Sequence, residues 1–195
     1  MSGLKIGIIL GSTRPGRRGE APARWLLDVA NERGDATYDL IDLAEFDLPQ
    51  LDEINTAAQG MYEKEHTQAW AAKVAQYDAF VFVTPEYNHS TSGALKNAID
   101  FLYAEWNNKA VGFVSYGANA SGARAVEHLR LIVAELQMAD VRHQVAFSLM
   151  TDWEQFTTFK PAESHRLAAN TMLDQLVAWG GALRGVREQS LAAAA

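Results

Sequence analysis

Three short apolar runs in this 195-residue chain, LKIGIIL at Leu4–Leu10, AFVFV at Ala79–Val83 and AVGFVS at Ala110–Ser115, lead straight into polar loops that carry glycine. Such runs lack the polar alternation of a half-exposed sheet, so they suit strands covered on both faces, the usual condition of a parallel sheet. Parallel neighbours need crossover connections, and the segments between the runs have helical periodicity. Trp25, Leu26 and Val29 share one side of Glu20–Arg33, and Trp70 and Val74 stand one turn apart in Tyr62–Gln76. Leu95, Ile99 and Leu102 line Ala94–Tyr103; Val126, Leu129, Val133 and Leu136 line Arg124–Met138; Ala162–Trp179 forms a closing helix.

Two weaker strands complete the alternation, Thr37–Leu43 and Val141–Phe147, the second alternating enough for an edge. Strand and helix therefore alternate along the chain, which predicts an α/β doubly wound architecture with right-handed crossovers: an open parallel sheet with helices on both faces. If the strand order is 2-1-3-4-5, it reverses between strands one and three, and ligands bind beyond the carboxyl ends of the strands at such a point. The loops after strands one, three and four become neighbours there. Residues 1–185 suit a single domain, and 186–195, ending in AAAA, reads as a frayed tail. Ala44–Gly60, with Pro49, is long for a connection and is a candidate for function or an oligomer contact. Leu149–Lys160 is irregular and aromatic.

The first loop, GSTRPGRRG at Gly11–Gly19, is built for an anion: Gly11 and Gly16 relax the backbone, and Ser12, Thr13, Arg14, Arg17 and Arg18 offer donors to phosphate oxygens. It lacks the Gly-Lys-Ser/Thr ending of a nucleoside triphosphate loop and the GxGxxG of a dinucleotide loop. The second, TPEYNHSTSG at Thr84–Gly93, sets a ring, a carboxylate and an amide in a row at Tyr87, Glu86 and Asn88 after Pro85, a set suited to a flat heteroaromatic edge. Asn88 and Ser90 also read as caps for the following helix. Trp25, Trp70 and Trp179 fit helical core positions, whereas Trp106 and Trp153 suit either core or site.

A net charge of −7 disfavours a general nucleic-acid binder and makes the loop arginines a local feature. The chain has no cysteine, which removes disulfides, thiolate metal sites and thiol nucleophiles. His66, His89, His128, His143 and His165 are scattered without metal spacing, and GxSxG is absent. No apolar run approaches the ~20 residues of a membrane span, so the expectation is a soluble cytoplasmic protein.

Taken together, LGSTRPGR at 10–17, TPEYNHSTSGALKNAIDFL at 84–102 and SYGANASGARAVEHLR at 115–130 resemble the flavodoxin-like NADPH-dependent FMN reductase family, which includes quinone, azo-dye and chromate reductases. The likeness spans about residues 3–183. It implies a flavodoxin-like three-layer sandwich in which Ser12, Thr13, Arg14 and Arg17 take the FMN phosphate. Pro85, Glu86, Tyr87 and Asn88 would lie along the isoalloxazine and ribityl chain, and Ser115, Tyr116 and Gly117 would meet the pyrimidine end. Many relatives carry serine and asparagine where this chain has Arg17 and Gly19. The implied chemistry is electron transfer from NADPH or NADH through FMN to a quinone, free flavin or similar small-molecule acceptor, with no metal and no catalytic acid or base. Homodimers or homotetramers are the implied assemblies. A flavodoxin-type electron carrier reduced by a protein partner and a sensor or scaffold without flavin are the alternative readings.

Overall fold

The computed structural model describes residues 3–194. Five parallel strands form the central sheet: β1 (Leu4–Leu10), β2 (Ala36–Asp42), β3 (Ala79–Pro85), β4 (Ala110–Gly117) and β5 (Ala139–Ser148). Their order is β2-β1-β3-β4-β5, the flavodoxin-like order, with β5 on an edge as expected. The connecting helices are α1 (Glu20–Asn31), α2 (Glu65–Ala75), α3 (Gly93–Asp100), α4 (Ala123–Glu135) and α5 (Glu163–Ala194). This is the flavodoxin-like three-layer sandwich.

Strand geometry decides which layer each side chain joins. Successive residues point to opposite faces, so Ile6, Ile8 and Leu10 pack with Leu26 and Val29 of α1 and with Met172, Leu173 and Leu176 of α5. Ile9, Phe80, Phe82 and Phe113 pack on the other face with Trp70, Leu95, Ile99, Leu129 and Val133. All eight residues of β4 are buried, and the apolar run at Ala110–Ser115 needs that double cover.

Local capping moves several boundaries. Helix α2 begins at Glu65 and not Tyr62 because the Glu53 carboxylate accepts from the backbone N–H groups of Glu63 and Lys64, both at 3.0 Å, and holds them outside the helix. The long connection after β2 is fastened to α3 by Asn97, whose side chain accepts from Leu51 N–H at 3.0 Å and donates to the Pro49 carbonyl at 2.6 Å. Within Leu149–Lys160 a two-stranded hairpin forms, β6 (Trp153–Glu154) and β7 (Thr158–Phe159), and Trp25 and Phe147 pack edge to face against its rings, Trp153 and Phe159.

The closing helix departs most from the sequence reading. It passes Trp179 and the paired Gly180 and Gly181 and continues to Ala194, through most of the stretch expected as a frayed tail; Ala195 lies outside the described residues. Arg184 and Arg187 fasten it, both donating to the Asp78 carboxylate, at 2.6 Å in each case from Nη2. Trp179, expected in the core, is 48% exposed, whereas Trp106 and Trp153 are core residues.

Candidate functional site

At the carboxyl end of β1 the chain leaves the sheet through Gly11, whose N–H donates to the Val83 carbonyl at 2.9 Å. A Cβ here would lie 2.8 Å from that carbonyl oxygen and 2.9 Å from Leu95 Cδ2, so the position needs glycine for close approach. The left-handed turn comes later, at Gly16 with φ 68°. Ser92 ties the loop to α3: its hydroxyl donates to the Gly11 carbonyl and accepts from Leu95 N–H at 3.1 Å. Ser92 is therefore the cap of α3, a role that Asn88 and Ser90 do not take.

Asn88 and His89 instead form the corner of a tight hairpin. Both have positive φ, 50° and 68°, and Tyr87 and Ser90 exchange backbone hydrogen bonds of 2.9 and 3.0 Å across them. Left-handed residues at both central positions define the two-residue turn that best matches strand twist, and asparagine tolerates that conformation well. The turn holds Tyr87 toward the first loop, with its hydroxyl 3.1 Å from Ser12 Oγ and 3.2 Å from Arg14 Nε, which donates to it. Glu86 N–H donates to the Tyr116 carbonyl at 3.0 Å, joining the second loop to the third. The structure thus brings Ser12, Arg14 and Tyr87 into direct contact and attaches Glu86 to Tyr116.

The other expected residues divide. Thr13 and Arg14 are exposed on a shallow depression of about 320 Å³ with Gly16 and Arg17. Thr13 also borders a deeper cleft of about 310 Å³ that Asn97, Leu43 and Leu48 help to line. Asn88 is exposed, and Pro85 is buried at the end of β3. Arg17 is already occupied: it donates to the Ser12 carbonyl at 2.7 Å, to Glu20 through Nε and Nη2 at 3.1 and 3.0 Å, and to both oxygens of Asp42. Asp42 raises the guanidinium pKa more strongly than burial lowers it, and Glu20 adds to the rise. Arg17 shapes the loop from behind. Arg14 and Arg18 have no carboxylate partner among the described residues.

In the third loop, Ser115 Oγ donates to the Ser121 carbonyl at 2.8 Å and Gly117 accepts from Leu149 N–H at 2.9 Å. Tyr116 points its side chain into the layer of α1 and α5, not toward the second loop. Burial, reinforced by Tyr87, pushes its phenol well above the usual range, so it is a neutral donor. Its hydroxyl and Glu86 Oε2 are buried without a hydrogen-bond partner.

Arg124 stands on the first turn of α4, within the third motif, and no role for it was expected. Its Nε donates at 2.7 Å to Glu86 Oε1, which also accepts from Nη2, and its Nη1 donates at 2.7 Å to His89 Nε2. A cation just after a glycine-rich loop, opposite a loop with one carboxylate, was the signal that could have found it.

These parts fit a phosphate monoester on a flat ring. No side chain caps α1, so its N-terminus keeps donors for an anion, and Ser12, Thr13, Arg14 and Arg18 add hydroxyls and positive charge. Among the described residues no cluster of histidine and carboxylates could hold a metal ion.

The family model described as NADPH-dependent FMN reductase matches residues 4–152. An NAD(P)H-dependent FMN reductase of a Nectria species is 36% identical over 157 residues, 76% of this chain and 78% of that protein. One from Schizosaccharomyces pombe is 37% identical over 150 residues, 76% and 74% of the two chains. Among solved structures, the flavoenzyme NAD(P)H:(acceptor) oxidoreductase FerB of Paracoccus denitrificans superposes with a TM-score of 0.66 over 91% of this chain and 97% of its own, at 20% identity, a likeness of fold. Fold, loop chemistry and sequence agree, and the chain belongs to the NADPH-dependent FMN reductase family.

Proposed function

We propose that this protein is an FMN-dependent NAD(P)H oxidoreductase that reduces a quinone, a free flavin or a similar small acceptor. The observation that carries the reading is the union of two loops at the point where the strand order reverses, Tyr87 hydroxyl to Ser12 Oγ at 3.1 Å, beside the uncapped start of α1. Bound FMN supplies a carrier that takes hydride from a nicotinamide and releases electrons to an acceptor.

The chain's own residues bind and orient. Ser12, Thr13 and Arg14, with the first-turn N–H groups of α1, hold the phosphate, and Arg17 keeps the loop in shape against Asp42 and Glu20. Tyr87 and the polar groups of Pro85–Asn88 border the ring and its chain, while Ser115–Gly117 form the wall behind them. No acid or base is required of the protein, in keeping with a site where arginine and tyrosine outnumber titratable groups near neutrality.

A cytoplasmic location and assembly as a homodimer or homotetramer belong to the same reading. No helix among the described residues is long and apolar enough to cross a membrane. The exposed Leu51, Ile54 and Met61, on the connection after β2, support a contact between copies.

Purified protein should be yellow, and its flavin should bleach anaerobically with NADPH or NADH. Colourless protein that ignores added FMN would overturn the proposal. Bound flavin that neither nicotinamide reduces, but a protein donor does, would make the molecule an electron carrier.

A further inference from the structure

Tyr116 carries an unexplained cost. Its side chain is 5% exposed and its hydroxyl has no hydrogen-bond partner, although a buried donor is retained against a penalty unless something satisfies it. Its position is specific. The ring lies beside Trp153, centroids 6.4 Å apart, and the hydroxyl sits under the start of α1, where a Cβ on Gly19 would come within 2.7 Å of it. Ser12 lies near enough to act on that hydroxyl as a hydrogen-bonding group, short of a formed bond, while Tyr87, Arg14 and Arg17 act on it by charge.

Ser12 is the polar group that acts on both that phenol and the second loop. It is 1% exposed, its Oγ is 3.1 Å from the Tyr87 hydroxyl, and it accepts a long contact of 3.4 Å from Arg14 N–H. A serine hydroxyl has one proton and two lone pairs. If the proton turns to an anion at the α1 N-terminus, a lone pair becomes free to accept, and the phenol beneath is a donor without a partner.

We propose that Tyr116 is a positioning residue for phosphate recognition, acting through Ser12: its O–H hydrogen-bonds to Ser12 Oγ when Ser12 donates to the phosphate. The arrangement moves the Tyr116 side chain from the ring end of the site, where the family resemblance set it, to the phosphate end. The proposal rests on the reading that FMN is the ligand and that its phosphate lies at the first loop.

The test is titration of the apoprotein with FMN and with riboflavin, which lacks the phosphate, followed by quenching of flavin fluorescence. In Tyr116→Phe, FMN affinity should fall about tenfold while riboflavin affinity stays unchanged, because one donor to a charge-bearing network is lost. The apo variant should melt no lower than the parent, since phenylalanine keeps the packing and removes the unpaired hydroxyl. In a double-mutant cycle, Tyr116→Phe should cost nothing more once Ser12→Ala is present. Equal losses for FMN and riboflavin, or additive losses in the cycle, would overturn the role of Tyr116. A Tyr116→Phe protein that retains the parent's preference for FMN would overturn it too. A parent that binds riboflavin as tightly as FMN would instead overturn the phosphate site on which the proposal stands.

Discussion

Arg124 and Glu86 are joined through one carboxylate oxygen: Nε and Nη2 of the guanidinium both donate to Oε1, while Oε2 is buried without a partner. The Glu86 side chain is 7% exposed and that of Arg124 42%, so the pair is buried on the acid's side only. Removing the arginine would leave a carboxylate in a poorly solvated place. Arg124→Ala should therefore cost about 2 kcal/mol, below the full penalty of a buried broken pair because the cation is partly solvated. Urea denaturation of the apoprotein measures it. Amide exchange at residues 86–90 should quicken, since Arg124 also holds His89. Unchanged stability with unchanged exchange would mean that the pair holds nothing.

The two loop arginines should separate. Arg14 is exposed and contacts Tyr87, so Arg14→Ala should weaken FMN binding about tenfold with little change in stability. Arg17→Ala removes the partner of both Asp42 and Glu20 and should cost about 2 kcal/mol of folding stability. Thermal unfolding of both apo variants, with flavin titrations alongside, tests this. A stable Arg17→Ala protein that binds FMN poorly would return Arg17 to the role of a direct phosphate donor.

Gly11→Ala places a methyl group 2.8 Å from the Val83 carbonyl oxygen, a backbone atom that cannot step aside. A loss of about 2 kcal/mol is expected from overpacking. By contrast, Gly16 has open space for a Cβ and only a positive φ to strain, so Gly16→Ala should cost about 1 kcal/mol. Paired denaturation curves rank the two, and the reverse order would contradict the close approach at Gly11.

Lys109 is 4% exposed, and its Nζ donates to the Val74 carbonyl at the end of α2 at 2.9 Å. Burial, with help from Arg187, lowers its pKa to about 8 from an ordinary 10.5. Between those values the unfolded chain holds a proton that the folded chain has released, so this group's contribution to stability rises with pH from about 8 to 10.5. Below that window the folded state bears a charged, buried amine at a cost of about 3 kcal/mol. The advantage of Lys109→Met over the parent should thus shrink as pH rises from 8 toward 10.5, in denaturation curves collected across the range. A pH-independent difference would show that the amine does not lose its proton there.

Continuous apolar runs made β1, β3 and β4 legible, because a strand covered on both faces has no polar position to obscure it. Alternation and the chirality of crossovers gave an open parallel sheet, and its order came from the resemblance carried by the loops. The tail of α5 was not legible: two adjacent glycines and an alanine-rich end argue against helix, and the acid that fastens it, Asp78, lies 106 residues from Arg184. The ion pairs of Arg17 were not legible for the same reason. Its partner Asp42 is on the neighbouring strand, 25 residues away, and only the β1–β2 pairing brings Leu10 alongside it. At the site, composition identified the loops, whereas the allocation of side chains within them depended on facing. Ser115 and Tyr116 are consecutive in a strand and so point to opposite layers, which no inspection of SYG as a motif reveals.

Ser92 touches both the Gly11 carbonyl just past β1 and the Leu95 N–H in the first turn of α3. One hydroxyl group is therefore shared by two segments eighty-one residues apart. For anyone recombining relatives, the first and second loops form a single cassette: a chimera that imports one without the other breaks that shared bond and the Gly11 approach together.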